Sequence, residues 1–225
     1  MSSYGLSPTD RTTIRRLSDR ARTDRAELFD LLDSAVICHL GMILDGRPLV
    51  LPTVFAPDPD GPDKGGTVYL HGSVAARSLV EAPDQDVCVT WTQVDGLVLA
   101  RSGFHHSMNY RSAVAIGRGR LVVDPQEKRR ALDLVVDHVV PGRSATLRGH
   151  HRKELAATSV IAVALHEASL KQRTGDPVDD SDDIATGRWA GVLPLKVTTG
   201  EIVTAGDAQG VPVPSDVRRL AQTWR

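Results

Sequence analysis

The stretch from Asp95 to Ser112 reads DGLVLARSGFHHSMNYRS and crowds His105, His106, Arg101, Arg111, Asn109 and Tyr110 behind a short apolar run. It is too polar for a core and too ordered in pattern for a linker. Imidazole, amide, phenol and guanidinium groups at this density suit recognition of a polar or anionic ligand. The adjacent His105 and His106 point different ways on most backbones and no carboxylate cluster lies near them in sequence, so no metal site is expected. The competing reading is an arginine and a histidine pair on a hairpin tip.

A second chemical signal is Leu70 to Ser78, LHGSVAARS. The pattern predicts a strand ending at His71, a turn at Gly72 and a helix entered at Ser73, with Ser73 as its cap. Free N–H groups in the first turn of such a helix carry partial positive charge and suit a phosphate, and Arg77 one turn later would add a charge-assisted contact. Alternatively Ser73 only caps, His71 is a hydrogen-bonded strand residue and Arg77 a solvated charge.

These groups need a scaffold, and the periodicities supply one. Leu28, Leu31, Leu32 and Ala35 recur at helical spacing behind Asp24, which has Glu27 three residues on in capping-box form. Residues 35–44 and 48–56 are strand-like and flank Asp45-Gly46, a dipeptide suited to a tight hairpin. Residues 57–66 read as an exposed loop. Strands are expected over 67–71, 87–92, 97–101, 113–123, 159–168 and 192–197, and a short helix over 73–80. Asp124-Pro125 opens the strongest helix, with Ala131, Leu132, Val135, Val136 and Val139 on one face and Pro141-Gly142 as the stop. The pattern is β-rich α+β, antiparallel with flanking helices, in a single domain with its core over about 24–197 and extensions at 1–23 and 198–225.

A chain of 225 residues with formal net charge −1 carries no basic excess, so neither nucleic acid nor an anionic membrane is expected as a partner. The polar, arginine-bearing first 20 residues lack a leader's apolar segment, and no run is long enough to span a bilayer, so a cytoplasmic location is expected. Cys38 and Cys88 lie in apolar runs and read as buried thiols, a disulfide being the alternative. His150-His151 reads as a solvated turn, and Lys171 and Arg173 as surface charge.

Taken together, the YLHGS segment with Arg77, the DGLVLARS and MNYRS ends of the first block, Glu167-Ala168-Ser169, Lys171, Arg173 and Trp189-Ala190-Gly191 resemble the pyridoxamine 5′-phosphate oxidase-like flavin-nucleotide-binding family. The resemblance runs over roughly residues 10–194 and is strongest to the branch of nitroimidazole-resistance reductases. It implies an FMN-binding split β-barrel and a homodimer with the flavin at the subunit interface.

It also implies a set of cofactor contacts. The FMN phosphate would lie at His71, Gly72, Ser73, Arg77 and Ser78. The ring would lie along Leu51, Pro52 and Thr53 and along Thr90, Trp91 and Thr92, which otherwise read as core strands. Asn109, Tyr110, Arg111 and Ser112 would border it, with Arg111 facing a phosphate or charge on reduced flavin. Trp189 would lie against the flavin or, alternatively, in the core. The function implied is electron transfer from NAD(P)H to a small acceptor of nitroaromatic or quinone type, with no catalytic side chain assigned because the cofactor carries the redox chemistry. A flavin carrier without turnover, a deazaflavin protein and a haem protein ligated through His71 or His106 stand as alternatives. One departure is specific: the oxidases recognise pyridoxal phosphate through an Arg-x-His pair after the tryptophan, where this chain has Leu193-Pro194-Leu195-Lys196-Val197.

Overall fold

The computed structural model describes residues 5–7, 9–83 and 85–223. The chain begins with β1 (Ala21–Arg22) and α1 (Arg25–Ser34). Asp24 caps α1 by accepting from the Ala26 N–H at 2.9 Å, and Leu28, Leu31 and Leu32 on one face are fully buried. β2 (Ile37–Leu44) and β3 (Arg47–Asp58) form the expected hairpin. Asp45 and Gly46 have φ of 51° and 70°, a primed turn whose twist matches that of the strands.

β4 (Thr67–Ser73), α2 (Arg77–Glu81), β5 (Asp86–Leu99), β6 (Ser107–Arg118) and β7 (Arg120–Leu121) come next. Then come α3 (Pro125–Val139), α4 (Arg152–Ala157), β8 (Thr158–Ala164), β9 (Ala168–Arg173), α5 (Ser181–Ala185), β10 (Gly191–Pro194) and α6 (Ser215–Thr223). The strands form one antiparallel sheet in the order β1-β9-β6-β5-β2-β3-β4-β8-β7, and β10 pairs with β5 off this path. The expected β-rich antiparallel architecture with flanking helices is the one observed.

Four expectations change in detail. The two strands predicted on either side of Asp95 are one 14-residue strand, because the break is absorbed as a register shift between Val94 and Gly96. β6 starts at Ser107, so Asn109 to Ser112 are ladder residues rather than loop. The run 159–168 divides into β8 and β9. Finally, α2 starts at Arg77 and not at Ser73: β4 continues through Ser73, whose hydroxyl accepts from the Ala75 N–H and caps no helix. Gly72 is therefore a strand residue. Its missing side chain leaves room for Leu79, whose Cδ1 would lie 2.7 Å from an added Cβ.

One core cluster joins α1 to the sheet interior through Phe55, Leu70, Trp91 and Leu170, and a second, smaller one joins α3 to Tyr69, Val160 and Ala162. Both cysteines are free; Cys38 is buried, with its thiol pushed up to about 12, and Cys88 is half-buried. Among the described residues no helix is long and apolar enough to cross a membrane.

Docking of α3 relies on polar groups as much as on apolar ones. Asp58, with 2% of its side chain exposed, accepts two bonds of 2.8 Å from Arg130. The Tyr69 hydroxyl donates to Glu127 at 3.1 Å, and Arg120 bridges Glu127 and Asp63. Near the other end of the helix His138 Nε2 donates to the Ala35 carbonyl at 2.7 Å and its ring lies 4.5 Å from that of Phe55.

These contacts set two expectations. Arg130→Ala leaves a buried carboxylate without its counter-charge and should destabilise the fold by about 2–4 kcal/mol, measured by denaturant unfolding; a loss below about 1 kcal/mol would refute the role given to the pair. Burial lowers the His138 pKa below its ordinary 6.5, more than the Ala35 hydrogen bond and Asp33 raise it. The unfolded chain therefore takes up a proton at this position before the folded one does, so stability is complete above pH 6.5 and declines as the pH falls toward the folded value. In His138→Gln the decline between neutral pH and about pH 5 should be shallower than in the parent; equal slopes would exclude His138 as a contributor.

Candidate functional site

The sheet has two unequal faces, and the predicted site residues are divided between them. Successive strand residues alternate faces and cross-strand partners share one. Pro52 pairs with His39, His39 with Thr90, Thr90 with Val114 and Val114 with Ser169; a second row pairs Thr92, Ser112 and Lys171. These residues point away from the α1 core. Pro52, His39 and Thr92 are exposed, and Ile37, Ile43 and Val50 extend the same face as an apolar surface, 50%, 52% and 62% exposed. The structure thus brings Pro52, Thr90, Thr92 and Ser112 together. His39 joins them without having been expected there, although the alternation of VICHLGMI places it opposite the buried Cys38 and Leu40.

Leu51, Thr53, Trp91 and Arg111 face the other way. Trp91 is fully enclosed, its ring 5.5 Å from that of Phe55, so its side chain belongs to the core rather than to a ligand surface. Thr53 is half-buried and directs its hydroxyl to the Val54 carbonyl. Arg111 is held by both Asp95 oxygens at 2.9 and 3.1 Å, with Ser34 Oγ at 3.5 Å, so it is an ion-paired group beside α1. The Asp95 contact is the first cause of its raised pKa. Tyr110 pairs with Arg173 on the outer side, and Asn109 donates to the Gly175 carbonyl and accepts from Arg173. Arg173, expected as surface charge, is buried.

At the end of β4, His71 is half-buried beside Val160, and its Nδ1 is enclosed with no hydrogen-bond partner. Burial pushes its pKa down, which keeps the imidazole neutral. Arg77 is exposed and bonded to Asp45 at 2.7 Å and Glu81 at 3.0 Å, which ties α2 to the β2–β3 turn. Ser78 is half-buried in α2.

Trp189 is 71% exposed and outside the core. It precedes β10, which pairs with Leu97–Leu99 of β5, and Arg101 secures the approach by donating to Asp179 and to the Arg188 carbonyl. The His105–His106 tip lies in this region. His106 bonds the Ser102 carbonyl, whereas His105 Nε2 lies 3.2 Å from Asp180, and one ligand atom each from His105, Asp180 and Asp183 fall within 4.8 Å of one another. No carboxylate cluster lies near the histidines in sequence; in the fold Asp180 reaches His105 from 75 residues away, with Asp183 beside it.

The chain matches the model of the pyridoxamine 5′-phosphate oxidase family over residues 24–172. It is similar to the flavocytochrome Anf3 from Azotobacter vinelandii, with 36% identity, a TM-score of 0.86 and coverage of 96% of this chain and 98% of that one. It is also similar to the FAD and haem binding protein from Mycobacterium smegmatis, with 38% identity, a TM-score of 0.83 and coverage of 89% and 97%. A protein from Bacteroides thetaiotaomicron named for 5-nitroimidazole antibiotic resistance shares the fold at 24% identity and a TM-score of 0.53, covering 67% of this chain and 85% of that one. No curated protein matches. With two thirds of its length inside the family model and two near-complete relatives above one third identity, this chain belongs to the pyridoxamine 5′-phosphate oxidase family and has its split-barrel fold.

Proposed function

We propose that this protein binds a flavin nucleotide on the outer face of β3, β2, β5 and β6 and passes electrons from NAD(P)H to a small acceptor. The observation that carries the reading is this face, on which Thr90, Thr92 and Ser112 stand beside exposed Val50, Pro52 and Ile37. Hydroxyls beside apolar surface match the polar and benzenoid edges of an isoalloxazine ring. Support comes also from the two near-complete relatives, one named a flavocytochrome and the other for FAD and haem. When bound, the flavin supplies the hydride and electron chemistry. The chain's own groups bind it, orient it and exclude water.

Arg77 suits the phosphate role despite its present partners. An ion pair this exposed is worth about 0–1 kcal/mol, so a phosphate can displace the carboxylates at little cost. FMN is the nucleotide expected from the motif. We further propose a cytoplasmic homodimer that encloses the ring between two copies of this face, because so large an exposed apolar strip on a sheet calls for a cover.

A second reading adds haem. His71 favours it, because burial holds its half-buried ring neutral, the protonation state in which an imidazole ligates a metal, and no hydrogen bond within the fold engages its Nδ1.

The absorbance spectrum and mass of the small molecules released from purified protein test both readings. Flavin bands are expected, and a Soret band that disappears in His71→Ala would establish the haem reading. Absence of both chromophores, with no FMN or FAD binding at tens of micromolar by fluorescence quenching, would refute the flavin site; a Kd of about 1 µM or tighter is expected. Arg77→Ala should weaken FMN by about 1.5–3 kcal/mol and leave riboflavin nearly unchanged, since only FMN carries the phosphate. Val50→Glu should convert a sedimenting dimer to monomer and lower flavin affinity with it. A wild-type monomer that binds flavin tightly would exclude the interface site.

A further inference from the structure

At the far edge of the sheet, β1 and β9 border a polar cavity of about 410 Å³ lined by Arg20, Arg22, Gln172 and Arg173 together with Asp19 and Asp176. Arg173 is only 8% exposed, yet its bonds go to the Asn109 side-chain oxygen and to the carbonyls of Gly175 and Asp176, all uncharged acceptors. Among the described residues no carboxylate lies within salt-bridge distance of it. A buried guanidinium without a counter-charge is costly, because the interior solvates it poorly.

Arg22 is half-buried and, unlike Arg173, has an ion-pair partner. It donates to Gln172 at 3.2 Å and to the Ala21 carbonyl at 3.4 Å, and its nearest carboxylate oxygen, on Glu27, is 3.8 Å away. Arg20 has no ion pair among the described residues. Three guanidiniums less the two lining carboxylates, Asp19 and Asp176, leave the cavity with one net positive charge, which a bound anion would offset beside the buried Arg173. Guanidinium groups match the geometry of phosphate oxygens with paired N–H bonds.

We propose that this cavity is a binding site for a phosphate-bearing anion, distinct from the flavin phosphate position at Arg77. Position separates the two. Arg173 pairs with Tyr110 near the start of β6, whereas Arg118 at its end pairs with Asp86, close in the chain to α2 and Arg77. Eight residues of strand at roughly 3.3 Å each put about 26 Å between those ends. A phosphate group held through Arg77 cannot also occupy the cavity. The ligand class is a phosphate ester or diphosphate small enough for a cavity of about 410 Å³.

Calorimetric titration of the protein as purified with inorganic pyrophosphate tests this. Saturable binding is expected, weakened at least about tenfold in the Arg20→Ala/Arg22→Ala double variant and unchanged in Arg77→Ala. Both substituted residues lie outside the core clusters, and Arg20→Ala alone, which removes no ion pair, guards against misfolding by showing an intermediate loss. The double variant should keep the flavin content of the parent. No saturable heat below about 10 mM, or equal affinity in the double variant, would overturn the site. Binding abolished by Arg77→Ala would overturn it too, by placing the anion at the other end of the molecule. Binding seen only after the flavin is stripped would assign the cavity to the cofactor itself. Pyrophosphate binding to a protein that takes up no flavin would sustain the site while the flavin reading fails.

Discussion

Asp95 is the residue on which the arrangement of this sheet turns. At this position β5 exchanges one neighbour for another: its first half pairs with β2 and its second half with β10, while β6 runs along the opposite edge throughout. One regular strand cannot bend to serve both, and the register shift between Val94 and Gly96 supplies the bend. A bulge exposes backbone that must be held, and Asp95 does so twice. Its carboxylate grips Arg111 of β6, and its carbonyl accepts from the Leu195 N–H just past β10 at 3.0 Å. Arg111 and Gln93 also reach Ser34 at the end of α1, so the first helix is tied to the same junction.

Beyond this junction, the helices and loops are held by charge kept inside the fold. Arg130 on Asp58 and Arg120 on Asp63 and Glu127 dock α3 with matched pairs, each carboxylate finding its guanidinium. Arg25 goes in beneath α1 and donates to the carbonyls of Gly65 and Leu165. Asp216 draws α6 onto the loop after α3 through Arg143 and Thr146. Such pairs add modest net stability, yet they fix orientation, because each is costly to leave half-made. Arg173 differs from the paired arginines that dock α3, because its bonds go to uncharged oxygens.

The outer face of the sheet is governed by a different constraint. Alternation along each strand commits one set of side chains to the α1 core and the other to the outside, whatever those residues are. It therefore separates Pro52 from Leu51 and Ser112 from Arg111, neighbours that a motif treats as one unit. A ligand on the outer face touches alternate members of a motif; the intervening members hold the strand in place from behind.

Several elements were legible from local signals alone. Asp24 and Asp124 cap α1 and α3, and Asp45-Gly46 turns the β2–β3 hairpin, because caps and tight turns are contacts between residues two to four apart. The family, and with it the split barrel, was legible from the motifs. What only the tertiary structure decided concerns partners distant in the chain. Ser73 stays in β4 because β8 continues to pair with it, against its local preference to cap. Residues 86–99 form one strand because β6 spans the break at Asp95. Trp91 is buried by Phe55 and the core around it, Trp189 is left exposed, and Arg173 is drawn inside by Asn109 across 64 residues. Propensity and spacing act over a turn of chain, whereas burial and charge pairing act through space, and only the folded sheet defines which distant residues share it.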